Sequence, residues 1–413
     1  MKPVSPKIFS YLPMHILYVD QHFKTPEEGG AIRSYHLARG LVDAGHQVTL
    51  ISGHAGPKHK KVFIDGIHVH YLPVPYSSRM SRLGRSRALL RFVWMVCRKA
   101  TLFQEADVCY ITVTQPPLGL VGLYFQRKFS MPFYAEVHET TLNPPFPSPR
   151  KLFARLDRQI YQKARALVAL SPDMEQRLRQ IAPRQLIHLI PEVADCRFFS
   201  RSARSEYHER QFGVAGKFVV THFGPLAPAH HLDSLIEAAR ACQQKQLNDV
   251  LFLLVGEGSE QERLQAYAEQ GQLNNLQFVP HQNKYGLLSV LNVTDAVYIS
   301  LADHPARQNR SPTEFFEALA AGKLSITNRR GWIADLMEEN RCGFYASPQQ
   351  PYDFVTQLAP FVNDRQRLDT YQANARDLGE RQFEREKQID ALLNSLEIPH
   401  PTFQGVKADT LPV

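Results

Sequence analysis

Short apolar runs alternate with longer segments in which apolar residues recur every three or four positions, and this alternation continues along almost the whole chain. Runs of the first kind are typical of strands buried in a parallel sheet, and segments of the second kind are typical of the helices that cover it. The strand-like runs are residues 15–19, 47–52, 108–112, 133–137 and 166–170 in the first half and residues 217–222, 251–255, 276–279, 296–300 and 324–327 in the second. The pattern predicts an α/β protein built from doubly wound sheets.

A polar stretch at residues 190–207, rich in charge and without sustained periodicity, separates the two series of strands. We place a hinge there and predict two Rossmann-like domains, residues 1–195 and 205–385. Residues 386–413 would form the end of a terminal helix and a flexible tail. Ligands of open parallel sheets bind beyond the carboxyl ends of the strands. Two such domains facing each other should therefore enclose a cleft lined by strand-end loops from both.

The composition excludes several classes of protein. Of the 413 residues, 44% are hydrophobic and 21% are charged, which is the balance of a globular chain and not of a disordered one. The five cysteines are widely spaced and form no C-x-x-C pair, so neither a disulfide framework nor a zinc knuckle is indicated. No apolar run reaches the roughly 18 residues of a membrane-spanning helix, and the start of the chain does not resemble a secretory signal. We therefore expect a cytoplasmic protein.

The loop after the first predicted strand contains Gly29 and Gly30 and leads into a predicted helix. Paired glycines let the backbone approach a ligand closely, and the amino terminus of the following helix favours an anion. A plain structural turn would use the same two residues, so the feature by itself leaves both interpretations open. The chain contains no good G-x-G-x-x-G fingerprint, which argues against a nicotinamide-dependent dehydrogenase.

A second segment, residues 309–323, has the sequence marks of a helix with defined ends. Ser311 is a typical N-cap, Pro312 suits the first helical position, and Glu314 would complete an S-x-x-E capping box. Gly322 would end the helix. Because the segment follows a predicted strand and its loop, the amino terminus of the helix should face the cleft.

The start of this helix would suit a diphosphate. Free N–H groups and the positive end of the helix dipole favour an anion there, and Arg307 and Arg310 stand nearby in the sequence as cations. Glu317 lies further along the same helix among small and apolar residues, where paired ligand hydroxyls such as those of a ribose would give its carboxylate partners. A well-capped surface helix with Glu317 at its solvated edge is the competing interpretation.

Four motifs occur together in one order: the loop at 29–30, an S-x-D-M-x-x-x-L element at 171–178, the sequence GEGSEQERL at 256–264, and the helix at 309–323. Together they resemble the family-4 glycosyltransferases of the GT-B fold, particularly the bacterial branch that builds surface polysaccharides. The resemblance covers nearly the whole chain. It implies a retaining enzyme that moves a sugar from a nucleotide diphosphate donor to a glycan or polyprenyl diphosphate-linked acceptor and requires no metal or other cofactor. The donor would bind mainly to the second domain and the acceptor to the first.

The resemblance also implies roles for individual residues. Glu317 matches the second glutamate of the family's E-x7-E element, which holds the nucleotide ribose, and Gly29 and Gly30 match the loop that approaches the donor phosphates. His138 falls where the family often places a histidine or an acidic residue near the reacting sugar. With Glu139 it stands at a predicted strand end, where ionisable groups can serve acid/base or charge-stabilising chemistry. A purely structural histidine is the alternative at such a place.

Two departures from the family pattern concern the donor side. Asn309 stands where the first glutamate of E-x7-E is expected, and an asparagine can hydrogen-bond a sugar hydroxyl but cannot act as a carboxylate. The loop at Gly224 has Pro225 and His230 where many relatives carry an arginine and a lysine that clamp the diphosphate. The remaining candidates for holding the donor phosphates are His230, His231, Arg307, Arg310, Lys323 and the helix start at Ser311, Pro312 and Thr313. The same departures support an alternative function, a catalytically degenerate GT-B protein that binds sugar nucleotides or acts as a scaffolding partner.

Between Arg79 and Lys99 the chain carries seven basic residues and no acidic ones, within a net charge of +8. On a helix over residues 86–99 the arginines and Trp94 would lie opposite an apolar stripe. Such a face could dock on an anionic membrane surface, and a merely solvated helix face is the simpler alternative. No helix-turn-helix or RNA-binding motif accompanies the charge, so nucleic acid is not the predicted partner. The resemblance favours peripheral attachment to the inner face of the cytoplasmic membrane, where lipid-linked acceptors reside.

Overall fold

The computed structural model describes residues 13–76, 80–138, 150–200, 202–301 and 311–396, and the chain forms two α/β domains. The elements of the first domain are β1 His15–Val19, α1 Arg33–Asp43, β2 Gln47–His54, β3 Lys60–Ile64, β4 Ile67–Pro73, α2 Arg82–Arg98, β5 Val108–Val113, α3 Pro116–Phe129, β6 Phe133–Val137, α4 Arg150–Lys163, β7 Leu167–Ala169, α5 Pro172–Ile181 and β8 Ile187–Leu189. The strands form one sheet in the order β3-β4-β2-β1-β5-β6-β7-β8. All pair in parallel except β3, which is antiparallel to β4.

The second domain has a six-stranded parallel sheet in the order β11-β10-β9-β12-β13-β14. Its elements are α6 Glu206–Phe212, β9 Phe218–Phe223, α7 Asp233–Gln244, β10 Val250–Val255, α8 Gln261–Gln270, β11 Leu276–Val279, α9 Lys284–Val293, β12 Ala296–Ile299, α10 Thr313–Ala320, β13 Leu324–Thr327, α11 Trp332–Glu339, β14 Gly343–Tyr345, α12 Pro351–Asn363 and α13 Arg365–Leu378. One further helix, α14 Arg385–Ser395, follows.

All ten predicted strands are present, with boundaries within two residues of the prediction. Within the described residues, the prediction missed four other strands: the short β8 and β14, and the hairpin of β3 and β4 at the edge of the first sheet. The hairpin turns at Asp65 and Gly66, which both have positive φ. An Asp-Gly pair between two strand-like runs is a recognised hairpin signal. The exposed side chains of β3 hide its strand pattern, because an edge strand need not be apolar.

The sheets are covered on both faces, which explains why their central strands read as continuous apolar runs. In β1, Leu17 and Val19 pack into one core cluster while Ile16 and Tyr18 pack into the cluster on the opposite face. Strands β5, β9 and β10 are buried along their whole length. The predicted doubly wound architecture is therefore confirmed.

The last helix returns from the second domain to the first. Ile389 and Leu392 of α14 belong to the same core cluster as Leu37 of α1, and the Tyr134 hydroxyl donates to the carbonyl oxygen of Leu396 at 3.0 Å. The chain therefore crosses between the domains twice. Within the described residues, no helix combines the length and apolar character that crossing a membrane requires.

Candidate active site

A cavity of about 690 Å³ lies between the two domains. The first domain lines it with the loop after β1, the ends of β5 and β6 and the segment after β8, and the second with the loop after β9 and the starts of α9 and α10. Most of these segments lie at the carboxyl ends of parallel strands, where ligands of doubly wound folds bind. The volume falls in the range of small-ligand sites.

The loop after β1 reaches from the first domain to the second. Gly29 and Gly30 have left-handed backbones, with φ of +70° and +77°. A Cβ atom on Gly29 would lie 2.9 Å from the Cα of Asn283, the residue that precedes α9. Beside this contact, the N–H of Lys284 donates to the carbonyl oxygen of Pro26 at 3.1 Å. Glycine is needed at position 29 because the two backbones approach too closely for a side chain.

The first turn of α10 faces the cavity, but the predicted capping box is wrong. Pro312 is the N-cap, and among the described residues no side chain caps the first turn. The extended backbone of Pro312 (ψ 122°) starts the helix one residue late, so Ser311 lies outside capping range. Its Oγ is buried without a hydrogen-bond partner among the described residues, and Ser311, Pro312 and Thr313 all line the cavity. Gly322, with φ +60°, follows the last turn as expected.

Glu317 lies on α10 and lines the cavity, yet it is only 5% exposed. Its Oε1 accepts a hydrogen bond from the Nζ of Lys284, and the two side chains form an ion pair. Lys284 is the first residue of α9 and is itself only 4% exposed. Burial raises the pKa of Glu317, and the positive charge of Lys284 opposes that rise. The competing interpretation of Glu317 as a solvated edge residue is therefore excluded, and its partner is a residue that the sequence did not single out.

A buried charged network occupies the carboxyl end of β6. The Glu136 carboxylate accepts hydrogen bonds from Arg33 Nε at 3.0 Å, from the Tyr110 hydroxyl at 2.7 Å and from His138 Nε2 at 2.7 Å. The Arg33 guanidinium also donates to the carbonyl oxygens of the two residues that follow β8, at 2.9 and 2.5 Å. Arg33 therefore ties the start of α1 to β6 and to the connection between the domains.

The network sets the charge of its members. Burial opposes the charge on His138, but the hydrogen bond to Glu136 and the negative charge of that carboxylate outweigh it and raise the pKa of His138. Burial would raise the pKa of Glu136, but Arg33, together with the hydrogen bond of His138, lowers it to about 2. The nearby Glu192 also lines the cavity, and its burial raises its pKa. The first-domain side of the cavity thus combines a hydrogen-bonded histidine–carboxylate pair, in which the charged form of the histidine is favoured, with a carboxyl group that is easier to protonate.

The loop after β9 contributes a mixed set of charges. Gly224, with φ +143°, and His230 both line the cavity. The His230 ring lies 5.9 Å from the ring of the buried His222. Glu314 Oε1 lies 2.9 Å from the position of a Cβ on Gly224. This side of the cavity therefore presents the His230 imidazole and the Glu314 carboxylate, without an arginine or lysine from the loop itself.

Four predicted site residues, Glu139, Arg307, Asn309 and Arg310, lie outside the described residues, and their roles stay predictions. The described part of the chain brings the others together around the cavity, with Gly29 contributing through its contact with Asn283, except that His231 and Lys323 do not line it. In that same part, no group of three or more His, Cys, Asp or Glu side chains is arranged to hold a metal ion.

Sequence reasoning missed two residues that organise the cavity, Arg33 and Lys284. Arg33 is a basic residue at the start of the helix after the glycine loop, and its burial depends on a carboxylate 103 positions away. Asn283 is an N-cap whose side chain accepts from the Gly286 N–H at 2.9 Å, a local signal for the start of α9. That signal places Lys284 at the first helical position but cannot show that its side chain is buried against Glu317.

Two family models match the chain in sequence order. The model described as a glycosyl transferase 4-like domain matches residues 28–192, and the model described as glycosyl transferases group 1 matches residues 204–378. A curated relative, the lipopolysaccharide core biosynthesis glycosyltransferase LpsD of Rhizobium meliloti (strain 1021), is 28% identical over 171 residues. The match covers 41% of this chain and 45% of LpsD, less than half the length of either protein.

Solved structures resemble the architecture over nearly its whole length. Sucrose-phosphate synthase from Thermosynechococcus elongatus superposes with a TM-score of 0.75 at 17% identity, covering 93% of this chain and 99% of that one. Anabaena HepE in complex with UDP-glucose gives a TM-score of 0.67 at 20% identity, with coverage of 93% and 99%. Identities this low show the fold alone, and that fold is GT-B. With both domain models matched in order along this architecture, the chain belongs to the family-4 glycosyltransferases of the GT-B fold.

Proposed function

We propose that the protein is a retaining hexosyltransferase-like enzyme of bacterial polysaccharide assembly, which moves a sugar from a nucleoside diphosphate sugar to a glycan or polyprenyl diphosphate-linked acceptor. The observation that carries this proposal is the buried carboxylate of Glu317 beside the start of α10 in the interdomain cavity. Two similar proteins support this proposal: LpsD acts in lipopolysaccharide core biosynthesis, and the structure of HepE was solved with UDP-glucose.

The donor would bind mainly to the second domain, residues 205–385. The ribose hydroxyls would donate to the buried carboxylate of Glu317, since hydrogen bonds to an ionised carboxylate are strong. The diphosphate would lie against the start of α10 at Ser311 to Thr313, where N–H groups and the helix dipole favour an anion. His230 and the loop at Gly224 would flank it, with Arg307 and Arg310 as further cations. The Gly29–Gly30 loop would cover the phosphates from the first domain.

Transfer would break the bond between the sugar's anomeric carbon and the diphosphate oxygen, which keeps the electron pair. The acceptor hydroxyl oxygen would form the new bond on the same face of the sugar, and its proton would pass to the departing diphosphate oxygen. The His138 imidazolium, held by Glu136, would stabilise negative charge near the reacting sugar. Glu139 and Asn309 would complete this part of the site.

The acceptor would bind to the first domain, residues 1–195, and helix α2 offers a surface for its membrane. Leu90 and Trp94 are each 56% exposed on α2, while Leu89, Phe92 and Val96 pack inward. The exposed face also carries Arg87, Arg91 and Arg98, and the Arg98 guanidinium lies 5.0 Å from the Trp94 ring centroid. Apolar and cationic side chains on one exposed face suit an anionic membrane surface. We therefore propose peripheral attachment on the cytoplasmic side.

One observation favours the alternative of a sugar-nucleotide-binding or scaffolding protein without turnover. The loop after β9 carries Pro225 and His230 where the family pattern has cations, and the carboxylate of Glu314 faces Gly224 in the same place. A carboxylate there opposes the gathering of negative charge on a leaving diphosphate.

The Glu317→Gln variant tests the proposal. Hydrogen bonds to a charged group contribute roughly 1.5–3 kcal/mol, so we expect the affinity for UDP, or for whichever nucleoside diphosphate a panel identifies, to fall roughly tenfold to a hundredfold. Isothermal titration calorimetry measures the affinity, and release of nucleoside diphosphate from the donor in the presence of acceptor measures transfer.

Two controls separate binding from folding. Glu339→Gln changes an exposed carboxyl on α11 that does not line the cavity, and its affinity should equal that of the wild type. The double variant Glu317→Gln, Lys284→Met leaves no buried unpaired charge, and it should lose affinity as the single variant does. Unchanged affinity in both Glu317 variants would refute the assignment, and binding without transfer to any acceptor would favour the non-catalytic alternative.

A further inference from the structure

Lys284 contacts both the buried carboxylate of Glu317 in the second domain and the glycine loop after β1 in the first domain. Its Nζ is ion-paired with Glu317, and both side chains are almost fully buried, at 4% and 6% exposure. Its backbone N–H donates to the carbonyl oxygen of Pro26 in the loop after β1. One residue therefore contacts both structures that the proposed function places around the donor.

The position of Lys284 in its helix explains how it makes both contacts. It is the first residue of α9, and Asn283 before it is the N-cap. The N–H groups of a helix's first turn have no partner within the helix, so the Lys284 N–H is available to a carbonyl from another domain. Its side chain is then free to extend along the cavity wall to α10.

The glycine loop fits against the same point. Gly29 packs on the Cα of Asn283, where a Cβ would lie 2.9 Å away. On the same side, the Tyr285 hydroxyl donates to Glu27 Oε1 at 3.3 Å, and the His281 ring lies 3.5 Å from the carbonyl oxygen of Glu28. Residues 281–285 therefore form the surface of the second domain against which the loop after β1 packs.

The positive charge of Lys284 favours the ionised form of Glu317. Glu317 is faced by Lys284 from α9, by Glu314 from its own helix and by Glu192 from the segment after β8. Two of these three neighbours are acidic, and burial also disfavours a charged carboxylate. Lys284 is the neighbour that favours ionisation, and only an ionised carboxylate offers both oxygens as acceptors to a pair of hydroxyls.

We propose that Lys284 is a positioning residue that joins the two halves of the donor site, its ammonium keeping Glu317 ionised for the ribose and its N–H anchoring the Gly29–Gly30 loop over the donor. The inference rests on the proposed function, since it concerns the same site. In this chain, Lys284 would thereby couple recognition of the ribose to closure of the two domains.

Lys284→Met tests the charge. The affinity for UDP, or for the panel nucleotide identified above, is measured between pH 6 and 8 for Lys284→Met relative to the wild type at the same pH, because the terminal phosphate of the nucleotide and His138 titrate in both proteins. In Lys284→Met the carboxyl of Glu317 gains a proton more readily, so affinity should fall as the pH is lowered, by roughly tenfold per pH unit below its pKa. The double variant Lys284→Met, Glu317→Gln should bind weakly at every pH, because the titrating group is gone.

The Lys284→Pro variant tests whether the Lys284 N–H anchors the glycine loop. Proline suits the first position of a helix, and Asn283 already has the extended backbone that precedes a proline, with ψ −179°. The variant keeps α9 but cannot donate to Pro26. At pH 8 we expect it to bind the nucleotide more weakly than Lys284→Met does, and to show a larger radius of gyration by small-angle X-ray scattering with nucleotide present.

The outcomes are distinguishable. Absence of nucleotide binding in the wild type would overturn the proposed function, and this inference with it. Wild-type binding with the same pH profile in Lys284→Met would overturn the charge role alone, even if the melting temperature falls. Equal affinity and equal radius of gyration in the proline and methionine variants would overturn the anchoring role.

Discussion

His138 shows how a single residue acquires its charge from its surroundings. Its ring is 27% exposed at the cavity while Nε2 is fixed by Glu136, whose side chain is 1% exposed. Arg33 and the Tyr110 hydroxyl hold that carboxylate from the other side. A histidine at a strand end is ambiguous from its sequence context, and here the buried carboxylate two residues earlier decides its protonation.

The raised pKa of His138 predicts a pH-dependent contribution to stability. The imidazolium is favoured in the folded state, so its contribution is fully present below the unfolded pKa of about 6.5 and is lost as the pH rises through the higher folded pKa. We expect wild type to exceed His138→Gln in free energy of unfolding by more at pH 6 than at pH 8. Urea unfolding of both proteins across this range measures the difference. A difference that is constant, or that grows with pH, would contradict the assignment.

At the scale of elements, the cleft depends on close contact between a loop and a helix start. The loop after β1 and the first residues of α9 approach at backbone distance because Gly29 has no side chain. In the part of the chain that the structure describes, no side chain caps the start of α10, which faces the same cavity. The start of α10 therefore places backbone N–H groups that have no partner within the helix beside the space between the domains.

The variants Gly29→Ala and Gly216→Ala form a matched pair. Both glycines have a left-handed backbone, with φ of +70° and +71°, but no atom lies within 4 Å of a Cβ on Gly216. Each alanine should lower the free energy of unfolding by about 1–2 kcal/mol because of its backbone conformation. Only Gly29→Ala should also weaken nucleotide binding, since its Cβ collides with Asn283. Calorimetry and thermal unfolding measure both quantities, and equal affinities in the two variants would argue against a role of the contact in binding.

At the scale of the whole molecule, the chain passes twice between the domains and places a cationic, partly apolar helix on the outside of the first. Helix α14 packs on α1, so the second crossing ends in the first domain's core. Helix α2 buries one side and exposes the other, as the sequence predicted, although it begins at Arg82, earlier than expected. Arg85 of the same helix lines the cavity. The proposed membrane surface and the proposed acceptor site are therefore adjacent.

The variants Leu90→Glu and Leu186→Glu test the membrane surface. Both leucines are similarly exposed, at 56% and 53%, but Leu186 lies before β8 and not on α2. Losing an inserted leucine removes about 1.5–3 kcal/mol of apolar burial, so binding of Leu90→Glu to vesicles of anionic phospholipid should fall at least about tenfold. Leu186→Glu should bind like the wild type. Cosedimentation measures both, and wild-type binding should weaken as salt is added.

The sequence by itself determined the architecture, because a short run of adjacent residues is enough to identify each buried strand. A doubly wound sheet buries its strands on both faces, so each central strand, such as β5 or β10, is a continuous apolar run that can be recognised without knowing its neighbours. The glycine loop and the start of α10 were found in the same way, since turn and helix-end chemistry depends on a few adjacent residues.

Tertiary structure decided what the charged residues do. The partners of Glu317 and Arg33 lie 33 and 103 positions away, and no local pattern connects them. The capping box at Ser311 failed for a related reason, because the backbone that enters α10 from the cleft is extended at Pro312 and local capping rules assume otherwise. Burial, and with it the protonation of Glu317 and His138, is a property of the assembled domains, since it depends on which distant elements exclude water from each group.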